Sequence, residues 1–431
     1  MSNILFLPTR YFPSISGAEF YLQRIAEILS KKYNYKVDIF TSNAIDFKAL
    51  RDSHGKIIQK SDKYFDQVNH LKINRFPIKY EISTVAIINK LKKIDSYNAL
   101  NISDDCLSDL IKNGPYMDDL IEHFIKLGSL KYDLVHATFF PYFNLLISLI
   151  IGKQNNIPAV CTPFFHFSNP RYLESSMMEV LAKFDLLIAC TNLEKQFLID
   201  NLNISYDKIE VIPMGVDFDR FQQIHITTFK NFYFKEHFFK SKEKKYKMVL
   251  YCGYKNYEKG SISILKAIPH ILKKIRKVYF VFIGPPTMAF NRELSNLKKS
   301  AKTRIINFTP ANLNGYYDKK KLTAFKETDI FLMPSRTDAF GIAFLEAWAS
   351  GKPTIGANIG ATPEVINNNI DGLLVEFDNP LDIAEKVVRL LKNNRLRKKM
   401  GIAGRIKVAR NYTWDLIAQK THEKYQFLMK N

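Results

Sequence analysis

PSRTDAFGIAFLEAWASGKPTIGANIGATPEVINNNIDGLLVEF, from Pro334 to Phe377, sets a glycine turn, a short apolar helix and two apolar runs in succession. Phe340–Gly341 opens the helix that carries Glu346, and Asp338 stands eight positions before that acid. Glycine at 341 lets the backbone approach a ligand, and a helix start offers unpaired N–H groups to a phosphate or a sugar oxygen. Asp338 and Glu346 would flank such an anion site, one suited to sugar hydroxyls and the other to a ribose diol. Taken singly, an acid near a helix start serves equally as a capping or dipole partner.

Upstream lies YCGYKNYEKGSISILKAI, a strand ending at Gly253 and a helix beginning after Gly260. Lys259 is placed there to meet a diphosphate as charge builds on a leaving group, with Lys255 as a second point charge nearby. Near the N-terminus, PTRYFPSISGAEFYLQRIAEILSKKYNYKVDIFTS leads from a first strand through Ser16–Gly17–Ala18–Glu19 into a helix, which suits backbone contact with a ligand at Gly17. The spacing GxGxxG is absent, which weakens a dehydrogenase reading. His166, in IPAVCTPFFHF, and His136, in YDLVHAT, both stand at strand ends, where a histidine is commonly structural.

The alternation of short apolar run, turn and helical spacing extends along the chain. Asn3–Pro8, Lys36–Thr41, Leu134–Ala137, Ala159–Thr162, Leu186–Ala189 and Ile209–Ile212 form one series of strands, and Met248–Cys252, Tyr279–Ile283, Arg304–Phe308, Ile330–Met333, Pro353–Gly356 and Gly372–Val375 a second. Such alternation implies parallel strands with crossover helices, so the expectation is α/β, with two doubly wound domains. We place the first at 1–215, a linker or insertion at 216–247 containing the aromatic, basic run FKNFYFKEHFFKSKEKKYK, the second at 248–410, and a terminal helix at 411–431. The segment Asp46–Ile125 is irregular and reads as an elaboration of the first domain.

At 431 residues the chain exceeds what one core organises, and two domains of about 200 residues suit it. The formal net charge of +21 favours an anionic partner, whether nucleic acid, an anionic membrane or a phosphorylated substrate, unless Lys is simply abundant in this chain. Cys106, Cys161, Cys190 and Cys252 are too far apart for a zinc site or a disulfide framework, so a reduced, cytoplasmic chain is expected. The N-terminus lacks a basic leader and a cleavage site, and the apolar stretch around Leu145–Ile151 is too short to cross a bilayer. The stretch Lys72–Ile94 mixes apolar residues with Lys72, Arg75, Lys79, Lys90, Lys92 and Lys93; it fits either an anionic membrane surface or a solvated helix face.

Together these motifs resemble the group 1 (family 4) retaining glycosyltransferases. An acid, seven residues and a Glu are followed by Gly351–Lys352–Pro353 and by Gly360–Ala361–Thr362–Pro363–Glu364 in that family's order and spacing. Lys259–Gly260 match its Gly-Arg-x4-Lys-Gly pattern, with Tyr254 at the arginine position, and Ser16–Gly17 stands where the family has two glycines. Asp338 replaces the usual Glu and is one methylene shorter. Tyr412–Thr413–Trp414 resembles the closing motif that leads the last helix back to the first domain. The resemblance implies the GT-B fold, two Rossmann-like domains facing a cleft, with the acceptor mainly on the first and the donor on the second. It assigns Asp338 to the donor sugar, the amides of Ala339, Phe340, Gly341 and Ile342 to the sugar and diphosphate, Glu346 to the ribose, Lys259 to the leaving group and His166 to the neighbourhood of the reacting carbon. Gly17, Gly253 and Lys255 complete the donor-binding set.

The expected activity is transfer of a hexose from a UDP- or GDP-linked sugar to a glycan or lipid-linked acceptor, in cell-surface polysaccharide or glycoconjugate synthesis, with retention of configuration. No cofactor beyond the donor and no metal is expected, since no Asp-x-Asp motif ends a likely donor-domain strand. A sugar-nucleotide epimerase and a catalytically weak nucleotide-sugar-binding subunit are the alternatives. No nucleic-acid module is recognisable.

Overall fold

Runs such as NILFL and VYFVFI are apolar at almost every position, which suits strands covered on both faces rather than one. A computed structural model describes residues 2–14, 16–127, 132–169, 172–173, 175–222 and 232–430. The chain divides into two compact units, Met1–Pro213 with Asp415–Asn431, and Met214–Trp414.

The first unit is built on eight strands: β1 (Asn3–Leu7), β2 (Lys36–Ser42), β3 (Gln67–Val68), β4 (Leu71–Phe76), β5 (Leu134–Thr138), β6 (Ala159–Thr162), β7 (Leu186–Ala189) and β8 (Ile209–Val211). Their order is β3-β4-β2-β1-β5-β6-β7-β8, parallel throughout except for the antiparallel pair β3 and β4. The second unit holds β9 (Lys247–Cys252), β10 (Val278–Ile283), β11 (Ile305–Phe308), β12 (Ile330–Met333), β13 (Thr354–Ala357) and β14 (Gly372–Val375), all parallel in the order β11-β10-β9-β12-β13-β14. Each sheet grows outward in one direction and then reverses, between β1 and β5 in the first and between β9 and β12 in the second. Open α/β sheets bind ligands beyond the carboxyl ends of the strands at such a reversal.

The irregular segment 46–125 contributes a strand that the sequence conceals. β4 alternates buried and open positions, but one inward position is Arg75 rather than an apolar residue. Burial pushes the Arg75 guanidinium down to about 10, and it donates to the carbonyls of Phe65 (2.8 Å), Tyr64 (3.2 Å) and Phe12. Other cations of 72–94 are also engaged: Lys79 with Asp118 (3.1 Å), Lys90 with Asp118 and Glu122, and Lys92 with Asp104 (3.0 Å).

The aromatic run of 216–247 packs on the second sheet. Phe234 and Phe238 meet Phe308 of β11, Phe239 stacks on Tyr279 of β10 at 4.1 Å, and Glu327 accepts the Phe234 and Lys235 N–H groups. Residues 223–231 lie outside the described residues. The terminal helix Trp414–Lys430 lies, from Asp415 onward, with the first unit. Tyr425 bonds Nδ1 of His136 on β5, His422 bonds the Tyr35 hydroxyl at 2.9 Å, and Lys32 pairs with Asp415 at 2.6 Å. Among the described residues no helix is long and apolar enough to cross a membrane.

Candidate functional site

At the reversal of the second sheet, the loops leaving β9 and β12 are locked together by backbone. Gly260 has φ 71°, and a Cβ there would fall 2.1 Å from the Pro334 carbonyl oxygen, so both the conformation and the approach require glycine. Glu258 reinforces the join: its carbonyl accepts from Arg336 N at 2.8 Å, and its carboxylate takes the Arg336 guanidinium at 2.6 and 3.0 Å.

This join brings Lys259 and Asp338 together. Lys259 Nζ lies 2.5 Å from Asp338 Oδ1 and donates to the Thr337 carbonyl at 2.6 Å. An ammonium has three donors, so one remains for a further acceptor. Both side chains keep some exposure, 22% and 13%. Asp338 Oδ2 is buried without a hydrogen-bond partner among the described residues.

Three residues on, Gly341 takes φ 94° and starts the helix Ile342–Ala349. Ala339 and Phe340 are buried in the approach to it, with the Phe340 ring against Tyr412 at 5.4 Å. The first N–H groups of that helix, with those of Phe340 and Gly341, follow Asp338 within a few positions of the chain.

Glu346 follows one turn later and is 2% exposed. Its Oε1 accepts from Lys321 Nζ at 2.7 Å, and the same ammonium sits 3.5 Å over the Tyr316 ring. Burial raises the Tyr316 hydroxyl well above its ordinary value, with Glu346 adding to the effect. Lys321 and Tyr316 escaped the sequence reading. Lys321 ends a run of three lysines, which reads as a solvated face, and only the turn of the helix Lys319–Glu327 directs this one inward.

Lys255 is held apart from Lys259. It is fully buried, its ammonium donating to Asn307 Oδ1 (2.5 Å) and the Phe308 carbonyl (2.9 Å) of β11, and burial pushes it down to about 8. Tyr254 beside it is 45% exposed, its carbonyl accepting from Tyr251 at 2.7 Å. Gly253 directly follows β9, and an added Cβ there would meet the Tyr251 hydroxyl at 3.4 Å.

In the first unit, Gly17 begins the helix Gly17–Tyr33 after β1. The loop before it is fixed by Arg10, which pairs with the buried Glu19 at 2.6 Å, donates to the Ile45 carbonyl at 3.0 Å and lies 3.6 Å over the Phe47 ring. His166 follows β6, edge-on to Tyr172 at 4.8 Å. Its loop is anchored by Glu194, whose carboxylate accepts from the Phe165 N–H at 2.9 Å and the Cys190 N–H at 2.7 Å. His136 is fully buried between Tyr425 and Thr162 Oγ1 (2.9 Å), and burial pushes it down to about 3, so its place is structural.

Among the described residues no cluster of His, Cys, Asp and Glu is arranged to hold a metal. The arrangement in the second unit is an ammonium, a carboxylate and a helix start within one loop pair, able to bind a phosphate beside a polyhydroxylated group.

The chain is similar to known proteins. Residues 233–407 match the model of glycosyl transferases group 1, and residues 107–220 that of glycosyltransferase family 4. An uncharacterized glycosyltransferase of Methanocaldococcus jannaschii is 22% identical over 96% of this chain and 95% of its own length. A D-inositol 3-phosphate glycosyltransferase of Corynebacterium jeikeium is 26% identical over 71% of this chain and 74% of its own. Among solved structures, Anabaena HepE in complex with UDP-glucose superposes with a TM-score of 0.72 at 14% identity, covering 99% of this chain and 100% of that one.

Proposed function

The chain belongs to the group 1 glycosyltransferases, and from that premise we propose that it moves a hexose from a nucleoside diphosphate to a glycan or lipid-linked acceptor with retention of configuration. The observation that carries this reading is the Lys259–Asp338 pair at the reversal of the second sheet, beside the helix start at Gly341. In this reading the diphosphate lies against the N–H groups of Gly341 and Ile342 and takes the open donor of Lys259. Asp338 Oδ2, buried and unpaired, accepts from a sugar hydroxyl, and Glu346 accepts from the ribose diol.

The bond from the anomeric carbon to the diphosphate oxygen breaks while the acceptor oxygen bonds to the same face of that carbon. The acceptor proton passes to the departing phosphate. Lys259 and the helix start offset the charge that grows on the leaving group, which is where such groups act most strongly. No metal is required for this, and no cofactor besides the donor. In this reading Gly17 belongs to the donor-binding set and His166 to the neighbourhood of the reacting carbon. The solved complex of HepE with UDP-glucose makes a UDP-linked hexose the first donor to try.

The test is a panel of UDP- and GDP-linked hexoses, followed by product analysis. Transfer of the sugar to a second molecule with the anomeric configuration kept is the expected result. Isomerisation of the donor alone would identify an epimerase instead, and transfer with inversion would overturn the same-face attack.

A further inference from the structure

The helix Asn394–Asn411, NRLRKKMGIAGRIKVARN, carries seven Lys or Arg and no Asp or Glu. Its two faces are put to different uses. Arg397, Met400, Gly401, Gly404 and Val408 are buried. A Cβ on Gly404 would fall 1.9 Å from Trp348 Cδ1, and one on Gly401 2.0 Å from the Gly351 carbonyl oxygen, so this face is pressed onto the helix Ile342–Ala349. Two of the seven cations are taken up inside the fold. Arg397 donates to the carbonyls of Leu390 (2.6 Å) and Leu391 (2.8 Å), and Lys407 pairs with Asp371 (2.6 Å) and donates to the Val365 carbonyl (2.6 Å).

The other five face outward. At 3.6 residues per turn, Arg395, Ile402 and Ile406 run along the middle of the exposed face, with Lys398 and Arg405 on one flank and Lys399 and Arg410 on the other. Ile402 is 54% and Ile406 47% exposed. Among the described residues, no ion pair involves any of these five cations. One exposed isoleucine needs no account. Two of them a turn apart, rimmed by cations on both sides, match an interfacial helix whose apolar stripe sinks to the boundary of headgroups and acyl chains while Lys and Arg stems reach back to the phosphates.

We propose that this face docks the protein onto an anionic lipid bilayer. The cations complement the lipid phosphates, and the formal net charge of +21 draws the protein to such a surface over a distance. A nucleic acid would satisfy the charge equally, but single strands are gripped by stacking on aromatic rings, whereas this face offers two aliphatic side chains. The surface is separate from the Lys259–Asp338 pair, and the inference holds whichever sugar is transferred.

The test uses the full chain with vesicles of phosphatidylcholine alone and of phosphatidylcholine mixed with phosphatidylglycerol. Co-sedimentation is expected only with the anionic vesicles and is expected to fall as salt is raised. Ile402→Asp with Ile406→Asp, and separately Lys398→Glu with Lys399→Glu, are each expected to weaken vesicle binding by about ten-fold or more. All four positions are exposed, so melting and nucleotide-sugar turnover in solution should match the parent protein; if one pair melts early, the other decides. Equal binding to neutral vesicles would overturn the proposal, as would no binding or undiminished binding by the variants. RNA binding insensitive to the isoleucine pair, without vesicle binding, would assign the surface to nucleic acid instead.

Discussion

Lys259 Nζ and Asp338 Oδ1, 2.5 Å apart, join the loop leaving β9 to the loop leaving β12 across the reversal of the second sheet. The pairing keeps the ammonium and the carboxylate neutralised by each other and fixes both at one edge of the helix start. In the proposed reaction Lys259 gives the leaving group a charged contact worth more than about 1.4 kcal/mol, so Lys259→Ala is expected to lower turnover at least about ten-fold. The fall should appear in kcat more than in KM, because the charge that Lys259 meets grows during the reaction. Near wild-type transfer by this variant would defeat the assignment.

The buried pair of Lys321 and Glu346 leads to a second expectation. Breaking a buried ion pair from one side leaves an uncompensated charge and costs about 3–5 kcal/mol. Lys321→Met should therefore lower the melting temperature, and by freeing the Glu346 carboxylate from its fixed orientation it should weaken ribose recognition. Isothermal titration with UDP and with 2′,3′-dideoxy-UDP separates the two effects. The parent protein is expected to prefer UDP and the variant to lose that preference; an unchanged preference would leave Lys321 with a role in stability alone.

These two pairs also mark how far the sequence is legible. Asp338 and Lys259 announce themselves because each stands beside a glycine whose geometry is forced: at 260 by the Pro334 carbonyl and at 341 by a positive φ. Strands such as β10 are legible because a strand covered on both faces has to be apolar throughout. β4 is not, since its inward Arg75 is stabilised by three carbonyls that lie 10 to 63 positions away in the chain. Lys321 is hidden for the same reason: the groups that make it buried and paired, Glu346 and Tyr316, come together only in the fold. Lys255 shows the converse, a cation beside the expected phosphate position whose acceptors, Asn307 and the Phe308 carbonyl, draw it into the core.

With Lys255 so engaged, Tyr254 becomes the position to alter. It is 45% exposed in the loop that follows β9, where an arginine would reach out as a bidentate donor. Tyr254→Arg is expected to tighten binding of the nucleoside diphosphate by about three- to ten-fold, and more steeply at low salt, as a charge-assisted contact should. Tyr254→Phe should leave affinity unchanged. Titration at two ionic strengths checks both; tighter binding by the phenylalanine variant would point to packing rather than charge.

The pH dependence of stability should carry the mark of His136. Burial holds its folded-state value at about 3, against an ordinary 6.5. Between those limits the unfolded chain binds a proton that the folded chain refuses, so stability rises with pH across the window. The contribution is complete above about pH 6.5 and is lost on acidification, at up to about 1.4 kcal/mol for each pH unit. The bonds at stake tie Tyr425 of the terminal helix to β5 and, through Thr162, to β6. His136→Gln removes the titration while keeping an amide able to bond both hydroxyls. It should therefore lower stability at neutral pH by about 1–3 kcal/mol and flatten its decline between about pH 6 and pH 4. Urea unfolding of the parent and the variant at those pH values measures the difference, and identical slopes would show that the acid sensitivity of the first unit resides elsewhere.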